Sequence, residues 1–217
     1  MTEPRPERYP GYDVMAKRDT MSWNDVTREV VDKRLAVPRE PRFFTRAEWL
    51  ILQALCDRIV PQPAGREPVP LAAYVDQKMF ERKLDGYRHA ELPEQGEAWR
   101  RGLAALDEAA QRETGAGFAA ASAERRDELL RRTERGDLQA EALQGMPPKS
   151  FFEHRIIPDI TLAYYAHPIA WSEIGFGGPA SPRGYVRLAL DRRDPWEATE
   201  ARPGQEAWAL RENKRVG

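Results

Sequence analysis

The chain has 217 residues, with 34 Lys or Arg against 35 Asp or Glu and a formal charge of −1, and its mean hydropathy is −0.71. That length suits one domain with an arm or tail attached, and the near-zero charge removes the strongest argument for nucleic acid or an anionic membrane surface. No apolar run approaches the roughly 18 residues of a membrane-spanning helix, and the single cysteine, Cys56, excludes an internal disulfide, a thiolate zinc site, an Fe–S cluster and covalent haem.

Residues 1–44 are rich in Pro, Arg and aromatics and read as an extended arm with one short helix around Trp23 to Leu35. Val26, Val30 and Val31 give that helix a narrow apolar stripe, Ser22 is placed to cap it, and Pro38 and Pro41 end it. Such an arm cannot bury itself, so it either stays mobile or lies across another surface, and in isolation disorder is the expectation. Thr45 and Glu48 then form a capping-box signature ahead of Ala47, Leu50, Ile51, Ala54, Leu55 and Ile59 at helical spacing. Cys56 beside that stripe reads as a small buried residue. A second helix runs from Pro70 through Leu71, Val75 and Met79. A third starts near Pro93, with Trp99, Gly102, Leu103, Leu106 and Ala110 on one face, and stops at Gly115. Ser122 caps a fourth, which holds Leu129 and Leu130 and ends at Gly136. Phe151, Phe152, Ile156, Ile160 and Ala163 predict another buried helix, kinked or restarted at Pro158. Strand-like alternation is scarce. The expectation is an all-α protein: a small irregular helical domain of about five or six helices over 45–190, an N-terminal arm over 1–44 and a C-terminal tail over 191–217.

Chemistry-bearing patterns are thin. Gly175, Gly177 and Ala180 have the spacing of a degenerate phosphate-binding fingerprint, but no strand precedes them and Pro179 stands where a helix should open. Ser172, Glu173 and His167 are close in sequence, yet no nucleophile elbow surrounds Ser172, and His167 before Pro168 suits a hydrogen-bonded helix end. None of His89, His154 and His167 sits in an H-E-x-x-H pattern. No catalytic, cofactor or metal residue is assigned. Tyr164, Tyr165, Trp171, Phe176 and Tyr185 read equally well as core or as contact residues, because aromatics and Arg183 mixed with glycines match interface composition. No apolar signal segment follows Met1, and the twin arginines Arg125–Arg126, Arg131–Arg132 and Arg192–Arg193 are too deep in the chain to direct export. A cytoplasmic location is expected, periplasmic only if a partner carries the chain.

The run Tyr164-Tyr165-Ala166-His167-Pro168-Ile169-Ala170-Trp171-Ser172-Glu173-Ile174-Gly175-Phe176-Gly177-Gly178-Pro179, followed by Pro182-Arg183-Gly184-Tyr185, resembles the gluconate 2-dehydrogenase subunit 3 family. Leu55-Cys56-Asp57-Arg58-Ile59-Val60-Pro61 and Arg101-Gly102-Leu103-Ala104-Ala105-Leu106-Asp107 add to the likeness, which covers most of residues 45–190. The resemblance implies a non-catalytic gamma subunit without a cofactor of its own. Its large partner, a dehydrogenase of the glucose–methanol–choline (GMC) type, would hold FAD and oxidise a sugar or polyol hydroxyl. A cytochrome c subunit often takes the electrons in such assemblies. Members frequently carry a twin-arginine signal and help mature or export the large subunit, so a maturation chaperone is the alternative role. A stand-alone hydrolase using His167 and Glu173 is a third reading. On the leading reading the two arms and residues 164–185 dock on the flavoprotein, with Tyr164, Tyr165, His167, Trp171, Glu173, Gly175, Phe176, Gly177, Gly178, Pro179, Pro182, Arg183, Gly184 and Tyr185 as contact residues. Neither nucleic acid nor direct membrane insertion is expected.

Overall fold

Capping chemistry sets the helix boundaries. The computed structural model describes residues 7–64, 66–83, 85–86, 89–179 and 194–216. Among them it is all α, without a strand, in the order α1 Asp25–Leu35, α2 Arg46–Ile59, α3 Leu71–Phe80, α4 Gln95–Thr114, α5 Ala123–Arg135, α6 Pro148–Phe151, a π-turn Phe152–Ile156, α7 Ile157–Tyr165, α8 Pro168–Ile174 and α9 Glu206–Asn213. The Thr45 capping box forms, with Thr45 N–H donating to Glu48 Oε2 at 2.7 Å and Glu48 N–H to Thr45 Oγ1 at 3.3 Å. Ser122 caps α5, and Gly115 and Gly136 end α4 and α5 in the left-handed region at φ 72 and 86. Pro158 has no N–H to give residue 154, and the ladder just before it widens, Ile157 N–H reaching back to Phe152 O.

The chain divides into two compact units, one of Val37–Tyr164 and the other of Met1–Ala36 with Tyr165–Gly217. In the first unit α4 is central and packs on α2, α5 and α6. Its buried face carries Trp99, Leu103 and Leu106, and Leu52, Leu55, Phe118, Leu129, Phe151 and Ile160 complete the core. Gly102 sits mid-helix because a methyl group there would overlap the Phe151 ring. The intrinsic cost of such a glycine, about 1 kcal/mol, is offset by that ring, which also meets Trp99 edge-on at 5.5 Å. Cys56 is buried among the α2 apolar residues, and burial together with the Asp57 charge pushes its thiol pKa up, as an inert packing residue requires.

Two buried carboxylates organise this unit. Asp76 on α3 accepts the N–H groups of Arg42, Phe43 and Phe44 at 2.9, 3.0 and 3.0 Å and so fixes the turn leading into α2. Asp159 on α7 accepts Trp99 Nε1 at 2.7 Å and Lys78 Nζ at 2.6 Å. Lys78 Nζ also reaches Asp85 at 2.6 Å, and Arg155 Nη1 reaches Asp85 at 2.8 Å, so two cations and two carboxylates neutralise one another. Burial pushes the Asp85 carboxyl up, but the hydrogen bonds from Lys78 and Arg155 prevail and leave it below the ordinary carboxylate value.

The second unit answers the question of the arm. Tyr12, Val14, Trp23 and Val31 are buried in one cluster with Trp171, Trp196 and Val216, so the arm's covering surface comes from the C-terminal part of the same chain. Tyr12 Oη donates to Trp196 O at 3.0 Å, Ala201 N–H donates to Arg8 O at 2.8 Å, and buried Asn213 bonds both Thr199 and Pro10. These residues group differently from the sequence division at 44/45 and 190/191, because the arm's aromatics find burial only against C-terminal partners. Two local expectations are corrected here. Asn24, not Ser22, caps α1 through Thr27 N–H at 2.9 Å, while the Ser22 hydroxyl accepts from Lys17 Nζ at 3.0 Å. The inner face of α1 is Thr27 and Val31, leaving Val26 and Val30 exposed, since Trp23 sets the helix rotation by burying just ahead of it.

Removing the Asp76 carboxylate strands three N–H groups at once. Asp76→Ala is expected to destabilise the Val37–Tyr164 unit by roughly 3 kcal/mol or more, and Asp76→Asn by less, read from urea midpoints. Because the folded Asp85 binds its proton more weakly than the unfolded chain does, its contribution is full above about pH 4 and is lost as pH falls through its depressed value. Asp85→Asn flattens that acid limb of a stability–pH profile.

Candidate partner interface

Tyr164, first of the expected contact residues, belongs to the Val37–Tyr164 unit and is buried there, its hydroxyl accepting from Arg66 Nη2 at 3.1 Å. The rest of the described stretch lies in the other unit, around α8, which three local devices define. His167 caps the helix, its Nδ1 accepting from Ile169 N–H at 3.2 Å. Pro168 fills the first turn, where a missing N–H is harmless. Gly175 stops the helix at φ 68, with Gly175 N–H donating to Ser172 O at 3.3 Å and Phe176 N–H to Trp171 O at 2.8 Å, the paired bonds of a Schellman stop.

The glycines of this block are occupied by the chain itself. A methyl on Gly175 would overlap the Tyr9 ring, and one on Gly178 (φ 69) would lie 3.1 Å from Trp23 and 3.2 Å from Trp171. The fingerprint spacing therefore serves ring packing, and Gly175 ends a helix where a phosphate loop would open one. Trp171 is the hub. Its Nε1 donates to Tyr165 O at 2.7 Å, Arg34 stacks over its ring at 5.5 Å, and Phe176 meets it edge-on at 5.7 Å and 84°.

Burial sorts the expected contact residues. His167, Trp171, Gly177 and Gly178 are buried, whereas Gly175 and Pro179 are half-buried. Glu173 is exposed, and Tyr165 and Phe176 keep 52% and 42% of their surface. Ile174, not singled out from the sequence, joins them at 47%. Ala180, Pro182, Arg183, Gly184 and Tyr185 lie outside the described residues. Sequence reasoning also missed Tyr9 and Trp23 as the counterparts of the glycines. The available signal was an arm with rings but no apolar face of its own and a distant block with glycines to receive them.

The hydrolase grouping is not assembled around Ser172. Its hydroxyl donates to Pro168 O at 3.1 Å and accepts Val14 N–H at 3.1 Å, so its proton goes to a backbone carbonyl and not to an imidazole. His154 stacks on His89 at 4.2 Å, in the other unit. Among the described residues no three His, Cys, Asp or Glu side chains gather as a metal site, and no helix is long and apolar enough to cross a membrane.

One charge is buried in the aromatic cluster's neighbourhood. Lys17 has 0% exposure, donates to Ser22 and lies 5.6 Å from the Trp23 ring. Desolvation drives its pKa down to about 8, against the opposing pull of Glu197 and Asp194.

Two outcomes test this geometry. Gly175→Ala combines a left-handed backbone with a ring clash, and is expected to cost about 2 kcal/mol or more in urea unfolding. Between about pH 8 and 10.5 the unfolded chain holds a proton that folded Lys17 has released. Stability of this unit therefore rises over that window, by on the order of 3 kcal/mol. In Lys17→Met the rise disappears.

No curated protein and no solved structure matches the chain. A sequence model of the family described as Gluconate 2-dehydrogenase subunit 3 matches residues 46–178, more than half of the chain and the whole span from α2 to the ring-backed glycines. The chain belongs to the gluconate 2-dehydrogenase subunit 3 family.

Proposed function

We propose that the chain is the non-catalytic small subunit of a FAD-dependent sugar or polyol dehydrogenase complex, where it binds and stabilises the flavoprotein. On this reading FAD and the oxidation of the substrate hydroxyl belong to a large subunit of the GMC type, and a cytochrome c subunit receives the electrons. The complex stays in the cytoplasm unless a partner carries it out. The observation that supports the reading, beside family membership, is that Tyr165, Ile174 and Phe176 keep 52%, 47% and 42% of their surface although their backbone is fixed around buried Trp171. Rigid aromatic anchors of this kind lose little entropy on docking and dominate interface energetics. A stable interface needs about 1,000 Å² in total, so these side chains would be only part of the contact.

The test is co-expression with the flavoprotein subunit and purification through a tag on this chain. Flavin absorbance and a second, larger polypeptide are expected in the eluate, together with a raised melting temperature for this chain by mass action. Ile174→Asp, at an exposed position, is expected to weaken co-purification roughly thirty-fold, about 2 kcal/mol, while the chain alone unfolds nearly as before. Absence of this chain from the active enzyme's size-exclusion peak reassigns it as a maturation chaperone. An eluate without flavin and without a second polypeptide removes the subunit reading.

A further inference from the structure

We draw no further inference here: the strongest candidate, the cavity of about 730 Å³ beside half-exposed Trp208 of α9 that Asp194, Glu197, Glu200 and Glu212 line, carries nothing, because Glu200 and Glu212 already accept from Arg8 and Arg215 and nothing in the structure points to a ligand for an acidic cluster.

Discussion

Ring-on-glycine contact is the constraint on which the unit built from the chain's two ends depends. Tyr9 lies where a side chain of residue 175 would be, and Trp23 and Trp171 leave no room for one at residue 178. Both glycines are also left-handed, so the same two positions satisfy a backbone requirement and a packing requirement. The arm is ordered by these contacts together with Val31 of its own helix, while Val26 and Val30 point outward. Closing a loop of well over a hundred residues carries an entropy cost that grows only slowly with length. A cluster containing Tyr12, Val14, Trp23, Val31, Trp171, Trp196 and Val216 supplies apolar burial against that cost.

This constraint decides what is left for a partner. A glycine-rich segment suggests backbone that another molecule can approach closely, and here the approaching rings come from the same chain. Ile174, Tyr165 and Phe176 nevertheless keep 47%, 52% and 42% of their surface exposed. Their positions are fixed from below, Tyr165 through its carbonyl to Trp171 and Phe176 through both its N–H and its ring. Fixing apolar side chains before contact lowers the ordering cost of docking, which suits a subunit whose contribution is shape.

What could be read in the sequence was local. The Thr45 capping box, Ser122 at the start of α5, Gly115 and Gly136 at helix ends and His167 ahead of Pro168 are each settled by residues within one turn, and each stands as read. Ser22 and Asn24 were equally good caps on propensity. The choice fell to Asn24 because Lys17 takes the Ser22 hydroxyl, a contact that depends on how the preceding turn folds. The buried acids Asp76 and Asp159 gave no pattern at all, since their donors lie more than thirty residues away in sequence. For the contact stretch, the choice between core and surface could not be made from composition. Trp171 and Phe176 are both aromatic and five residues apart, yet the first is the scaffold and the second its exposed edge.

Polar groups in the Val37–Tyr164 unit differ in how far the fold satisfies them. Asp76 has three backbone donors, and Asp159 has an indole and an ammonium; both are spoken for within the fold and specify it. Gln95 Oε1, by contrast, is shielded without a partner, and the first bonded N–H of α4 is that of Ala98, to Glu94 O. A fold that satisfies a buried carboxylate three times over has the means to cap a helix, for Thr45, Ser122 and Asn24 each do so elsewhere in the chain. Glu94, by contrast, gives α4 no side-chain cap.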